Sequence, residues 1–131
     1  MNLHESEPVP SLTGFLRARL DEDEAAAEAV MPVGRPLERH RYGSWRESAA
    51  VKGAVVTIGG DVVAYDVPGK PERVHVARFD PARVLAEIGA KRRIVALAED
   101  RLFDRTFSPE LLGLLALPYA DHPDYRPEWR P

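Results

Sequence analysis

The sequence contains no cysteine among its 131 residues. It therefore excludes a disulfide framework, a thiolate nucleophile and any zinc site built on cysteine. No apolar run approaches the roughly 20 residues that a membrane-spanning helix needs. Residues 1–10 contain two glutamates and lack the basic and apolar regions of a signal peptide. We therefore expect a cytoplasmic protein, and we expect these ten residues to be disordered.

A large charge of one sign is also missing, because 18 basic and 21 acidic side chains leave a net charge of −3. The charge is uneven along the chain. Residues 1–31 hold two basic and seven acidic residues, whereas residues 32–79 hold eight and five. This distribution predicts complementary charged surfaces. The net charge of −3 argues only weakly against binding to nucleic acid.

The length and an apolar fraction of 44% predict a single domain over residues 1–131 with one modest core. Its first element is predicted to be a helix over residues 11–30. Apolar residues recur there at three- and four-residue steps, and Ser11 or Thr13 can cap the first turn. The stripe consists of Leu12, Phe15, Leu16 and Leu20.

A β-hairpin is predicted over residues 54–67, with Gly59-Gly60 as a two-residue turn. This register places Val56 opposite Val63 and Ala54 opposite Tyr65, on one apolar face. Because a lone hairpin is marginally stable, we expect a third strand, and residues 39–45 are the candidate.

Two further helices are predicted after the hairpin. Asp80-Pro81 is a cap followed by a first-turn proline and begins a longer helix that runs to about residue 100. Ser108-Pro109-Glu110 repeats this pattern and begins a short apolar helix through Leu111–Leu117. Residues 71–79 could be a strand or a short helix, and Pro71-Glu72 favours the helix. The predicted fold class is α+β, with an aromatic and proline-rich tail after the last helix.

Nucleophilic catalysis has little support in the sequence. No serine lies in a Gly-x-Ser-x-Gly elbow, and Gly59-Gly60 lies in a hairpin and not between a strand and a helix. The four histidines are dispersed. We therefore predict no catalytic residue, no bound metal and no cofactor.

The tail contains the most concentrated polar and aromatic chemistry. His122 could act as a base or a metal ligand beside carboxylates, although one histidine without helical spacing is a weak metal motif. The favoured interpretation is a tail held to the body by its rings, with aspartates capping turns. The candidate binding residues are Tyr119, Asp121, His122, Asp124, Tyr125, Arg126 and Trp129.

Residues 34–46 interleave arginines with aromatic rings, a pattern that can hold single-stranded nucleic acid through phosphate contacts and base stacking. Glu38 and Glu47 interrupt or border the pattern, so a solvated surface is the favoured interpretation. The candidate residues are Arg35, Arg39, Arg41, Tyr42 and Trp45.

Three stretches together resemble a family of small actinobacterial proteins, also met in phage-like contexts, that has no assigned function. They are FLRARLDEDE at 15–24, HVARFDPARVLAEIGAKRRIV at 75–95 and LLALPYADHPDYRPEWRP at 114–131. Many relatives carry a Cys- and His-bearing segment before the last helix, and this chain does not. A metal-binding role that rests on that segment is therefore not implied for this chain.

Three functional hypotheses follow. The first is a non-enzymatic interaction or regulatory module that binds a protein partner or itself, with a homodimer through the Leu111–Leu117 helix. The second is a nucleic-acid-associated protein that uses the basic and aromatic segment at 34–46. The third is a metal-dependent enzyme centred on His122.

Overall fold

The computed structural model describes residues 11–31, 39–100 and 108–131. The expected disorder of residues 1–10 lies outside the described residues. The chain divides into two compact units, one made of residues 1–21 and 90–131 and the other of residues 22–89. The single domain therefore stays a prediction. The helices are α1 (Leu12–Glu28), α2 (Arg39–Gly43), α3 (Lys70–Arg78), α4 (Pro81–Glu99) and α5 (Ser108–Ala116), and the strands are β1 (Trp45–Glu47), β2 (Val55–Thr57) and β3 (Val62–Ala64).

Helix α1 begins where the sequence predicts. The Ser11 hydroxyl accepts a hydrogen bond from the Gly14 N–H at 3.0 Å, which satisfies one of the free amides of the first turn. The predicted apolar stripe is confirmed, with Phe15, Leu16 and Leu20 fully buried.

The core of the first unit is built from three helices. Side chains from α1, α4 and α5 form one apolar cluster, whose buried members are Phe15, Leu16, Val95, Ala98, Leu112 and Ala116. An ion pair between Arg17 and Glu99 and another between Arg92 and Asp21 (2.8 Å) link α1 to α4. The second pair joins the basic cluster at 91–93 to one acidic residue of the first helix.

The sheet is antiparallel, with the strands in the order β1-β2-β3. The predicted third strand over 39–45 is wrong in position, because residues 39–43 form α2 and the strand begins at Trp45. Two hydrogen bonds explain the shift: the Trp45 backbone N–H donates to an Asp80 carboxylate oxygen, and its indole N–H donates to the Tyr42 carbonyl, both at 3.1 Å. The contact with Asp80 joins residues that are distant in sequence, so strand propensity cannot reveal it.

The hairpin is confirmed, but its predicted turn and register are wrong. The Thr57 N–H donates to the Asp61 carbonyl at 2.8 Å, which makes the loop three residues long. Gly60 has φ of +93°, the left-handed conformation of a type I turn followed by a bulge. A second irregularity follows, since Val56 lies opposite Val62 while Val55 lies opposite Ala64.

The predicted apolar face of the hairpin is wrong for the same reason, because each inserted residue reverses the direction of the side chains beyond it. Val55, Val56 and Thr57 of the central strand are all buried, whereas Val63 and Tyr65 are exposed.

Helix α3 confirms the short helix expected at 71–79, and it packs against β1 and β2. The Arg73 guanidinium fixes this packing, because it pairs with Glu47 of β1 at 3.0 Å and donates to the Val67 carbonyl at 2.9 Å.

Asp80 joins α3 to α4 and confirms the predicted cap. One carboxylate oxygen accepts the Arg83 N–H at 2.9 Å, and the other accepts the Trp45 N–H. The same side chain therefore caps α4 and holds the start of β1 beside it. Among the described residues, no helix has the length and apolar character that crossing a membrane requires.

The hairpin turn is braced by Asp61. Its carboxylate accepts hydrogen bonds from Arg41 of α2 at 3.2 Å and from the Thr57 hydroxyl at 3.1 Å. The Arg41 hydrogen bond and then the Thr57 hydrogen bond lower the pKa of Asp61 below its ordinary value of 3.8.

A carboxyl group whose pKa falls on folding adds stability above the unfolded-state pKa, and that stability is lost as the pH falls through the folded-state pKa. We therefore expect Asp61→Asn to lower the free energy of unfolding at neutral pH. The difference from wild type should shrink as the pH falls below 3.8 and vanish below the lowered folded-state pKa of Asp61. Urea unfolding across this range measures it. Asp66→Asn, on the same hairpin, is the control. A deficit of equal size at all pH values would contradict the proposed role of the Asp61 charge.

Candidate functional site

The tail is ordered by short turns between its prolines. A 3₁₀ turn spans Leu117–Tyr119 and another spans Pro127–Trp129. Between them, the His122 N–H donates to the Tyr119 carbonyl and the Tyr125 N–H to the His122 carbonyl, each at 2.9 Å. The tail also lies close to α5, since a Cβ atom on Gly113 would come within 2.6 Å of the Trp129 carbonyl oxygen. Glycine is therefore required at position 113.

Four tail rings surround the ring of Phe15. Their centroids lie 6.4 Å (Tyr119), 5.6 Å (His122), 6.0 Å (Tyr125) and 5.1 Å (Trp129) from that of Phe15. Three of the pairs meet edge to face, the geometry that aromatic quadrupoles favour. The predicted tail rings thus converge on one side chain of α1.

Arg19 lies one helical turn after Phe15 and is only 8% exposed. Its guanidinium carbon lies 5.0 Å from the Phe15 ring centroid, a cation–π contact. The same guanidinium contacts the His122 ring, 2.7 Å from Nδ1, and lies 4.0 Å from the Asp124 carboxylate. The tail therefore supplies both an aromatic and an acidic neighbour to a buried cation.

These contacts involve His122, the residue that the sequence indicates as a candidate base or metal ligand. His122 Nδ1 accepts the Asp124 N–H at 3.0 Å, and both ring nitrogens contact Arg19. Within residues 11–31, 39–100 and 108–131, no group of three His, Asp or Glu side chains is placed to hold a metal ion. The arrangement favours the interpretation of the tail as a segment held by its rings.

Two tail candidates stand apart from this cluster. Asp121 is exposed, and Arg126 is half-buried. The Nε atom of Arg126 and the hydroxyl of Tyr125 are buried without a hydrogen-bond partner among the described residues.

The described part of the basic and aromatic segment makes several contacts within its own unit. Arg35 lies outside the described residues, and Arg39 lies in α2 with its side chain outside the description. Arg41 pairs with Asp61 at 3.2 Å and stacks on the Tyr42 ring at 5.4 Å. Trp45 is half-buried and holds the Tyr42 carbonyl. Arg41, Tyr42 and Trp45 therefore contact residues of their own unit, whereas Arg46 of β1 is exposed.

A basic groove that the sequence did not predict lies along α3 and the start of α4. Its volume is about 720 Å³. Four of its seven lining side chains are basic or histidine, and none is acidic. They are Lys70, Pro71, Val74, His75, Arg78, Phe79 and Arg83.

A second groove, of about 370 Å³, lies beside the first in the same unit. It is largely apolar and includes the last turns of α1, the start of β1 and the start of α4. Its lining residues are Asp23, Ala26, Ala27, Val30, Trp45, Phe79, Pro81 and Val84.

Phe79 lines both grooves and is 48% exposed. The His75 ring lies 4.8 Å from the Phe79 ring centroid and the Arg83 guanidinium carbon 4.4 Å from it. These contacts hold the ring between the basic groove and the apolar groove.

Comparison with known proteins identifies the family. A family model of unknown function, DUF6221, matches residues 9–131. The chain belongs to DUF6221. No curated protein and no solved structure matches the chain. All three stretches that carry the sequence resemblance fall inside the matched range.

In this DUF6221 member, the sequence interpretation found the tail rings but missed their partners on α1. A signal was present, because Arg19 lies within the apolar stripe of α1 and a buried arginine needs polar or aromatic partners. The groove residues were missed because Phe79 lies in the two-residue link between α3 and α4, where no periodic pattern applies.

Phe15→Ala removes the ring that the four tail rings share, and we expect a loss of about 3–5 kcal/mol in the free energy of unfolding. We also expect the amides of residues 119–129 to exchange faster in hydrogen-exchange measurements. Phe15→Leu keeps most of the volume and should show a smaller change in the same direction. The control is Phe79→Ala, whose exposed ring should leave tail exchange unchanged. Wild-type protection of the tail in both Phe15 variants would contradict the role of this ring.

Proposed function

We propose that this chain is a non-enzymatic module that binds a protein partner, and that the partner docks on the two grooves that meet at Phe79. The observation that carries the proposal is the half-exposed Phe79 ring, positioned between a basic and an apolar groove of the same unit. Aromatic side chains at the centre of a binding surface contribute most of the binding energy in many protein interfaces.

The chemistry of the apolar groove supports a protein partner over a nucleic acid. Val30, Val84 and Trp45 line it, and they suit an aliphatic or aromatic side chain that enters as an anchor. The basic groove continues from it, so charge complementarity favours an acidic segment of the partner. Of the arginines in the 34–46 segment, Arg41 is already paired with Asp61.

The tail supports the non-enzymatic part of the proposal. His122, Arg19 and Asp124 contact one another around Phe15, so these polar groups are engaged within their own unit. We also propose a cytoplasmic setting, on the sequence argument alone.

Self-association through α5 is a weaker alternative. Leu112, Gly113 and Ala116 of this helix are buried in its own unit. Among the described residues of α5, Leu114, at 49% exposure, is the exposed large apolar side chain. One leucine offers little area for a stable dimer interface.

Site-specific photo-crosslinking tests the proposal. We expect a benzophenone amino acid in place of Phe79 to form an adduct with one protein in cells, and the same replacement of Tyr65 to form none. Tyr65 is the matched control because it is aromatic, 67% exposed and outside both grooves.

A specific adduct should be competed by the unmodified chain and lost when Val84→Glu places a charge in the apolar groove. Adducts of equal yield at positions 79 and 65, or no adduct at 79, would contradict the proposal. An adduct that nuclease removes would favour the nucleic-acid hypothesis instead, and an adduct between two copies of this chain would favour self-association.

A further inference from the structure

The basic groove carries charge that its own unit does not neutralise. Among the described residues, no ion pair or hydrogen bond involves the side chain of Lys70 or of Arg78, and both are exposed. Arg83 differs, because it pairs with Glu87 at 3.0 Å and lies over the Phe79 ring. Two cations are therefore available to a ligand at this groove.

The neighbouring arginine of α3 serves a different purpose. Arg73 is paired with Glu47 and bonded to the Val67 carbonyl, which fixes α3 to the sheet. Its charge is compensated, so it is not available to a partner. The two available cations lie at the two ends of α3, with Lys70 at its first residue and Arg78 at its last.

The length of α3 sets the distance between the backbone positions of Lys70 and Arg78. A nine-residue helix is about 12 Å long between its terminal Cα atoms. A segment of polypeptide with several carboxylates can follow this length and contact the cations at both ends at once.

The apolar groove indicates that the same ligand also carries an apolar side chain. Because Phe79 lines both grooves, a chain that buries a side chain against Phe79 and Trp45 continues directly over Arg78. Single-stranded nucleic acid offers phosphates for the cations but no aliphatic side chain for Val30 and Val84.

We infer that the partner binds through an acidic linear segment with an apolar anchor: the anchor side chain enters the groove between Phe79 and Trp45, and the adjoining carboxylates lie along α3 between Arg78 and Lys70. This inference rests on the proposed function and adds the chemistry of the partner. The exposed cations act mainly on specificity and on the rate of association, since exposed ion pairs are individually weak.

Selection of random linear peptides displayed on phage, panned on the full chain, tests the inference. We expect the enriched peptides to share one large apolar residue beside two or more acidic residues. Synthetic copies should bind about tenfold more weakly to the double variant Lys70→Glu/Arg78→Glu, because like charges then face each other. Lys52→Glu, an exposed charge reversal on a loop of the same unit, is the control and should bind as wild type does.

The outcomes separate the inference from the proposed function. Peptides that are apolar without acidic residues, and that bind the double variant as well as the wild type, would overturn the inference and keep the groove as a protein-binding site. Enrichment that is equal on wild type and on Phe79→Ala would overturn the proposed function itself. Binding of a single-stranded RNA probe that the double variant loses, without peptide enrichment, would overturn both. Circular dichroism of each variant checks that it is folded.

Discussion

The contact of Arg19 with Phe15 and with the tail is the interaction on which the first unit depends. An arginine within the buried stripe of α1 cannot lie against aliphatic side chains alone, because its charge would be left without compensation. The tail supplies neighbours for it: the His122 ring and the Asp124 carboxylate lie beside the guanidinium, and three more rings surround Phe15. The unusual composition of the tail is therefore explained by the fold.

This constraint changes where function is expected. The tail has the residue types of a polar site, yet its histidine and aromatic rings are committed to contacts within their own unit. In the other unit, Phe79 remains half exposed and Lys70 and Arg78 remain without ion pairs among the described residues. The exposed aromatic ring and the cations without ion pairs thus lie along α3 and the start of α4. This division supports the proposed binding module, in which the tail stabilises its own unit and the partner binds at the grooves.

The elements with strong local signals could be predicted from the sequence. Ser11 and Asp80 cap helices because a side-chain oxygen next to a free amide is a local arrangement. The hairpin strands were also found, but their register depends on two inserted residues, Gly60 and Val63, that hydrophobic alternation does not reveal. The position of β1 depends on Asp80, thirty-five residues away from Trp45.

The site was less predictable than the fold for a physical reason. The tail rings could be identified by type, but their partner could be found only by asking what a buried arginine requires. The grooves at Phe79 arise where α1, β1, α3 and α4 bring separate residues together, and no spacing in the sequence connects Val30 with Val84.

The two tryptophans of the chain allow the most direct test of this division, since Trp45 lines the apolar groove and Trp129 packs on Phe15 in the tail. Their indole N–H groups give two separate signals in a ¹H–¹⁵N NMR spectrum. On titration with an acidic peptide selected on the chain, we expect the Trp45 signal to shift until saturation and the Trp129 signal to stay in place. A shift of Trp129 with Trp45 unchanged would contradict the central claim and return the binding site to the tail.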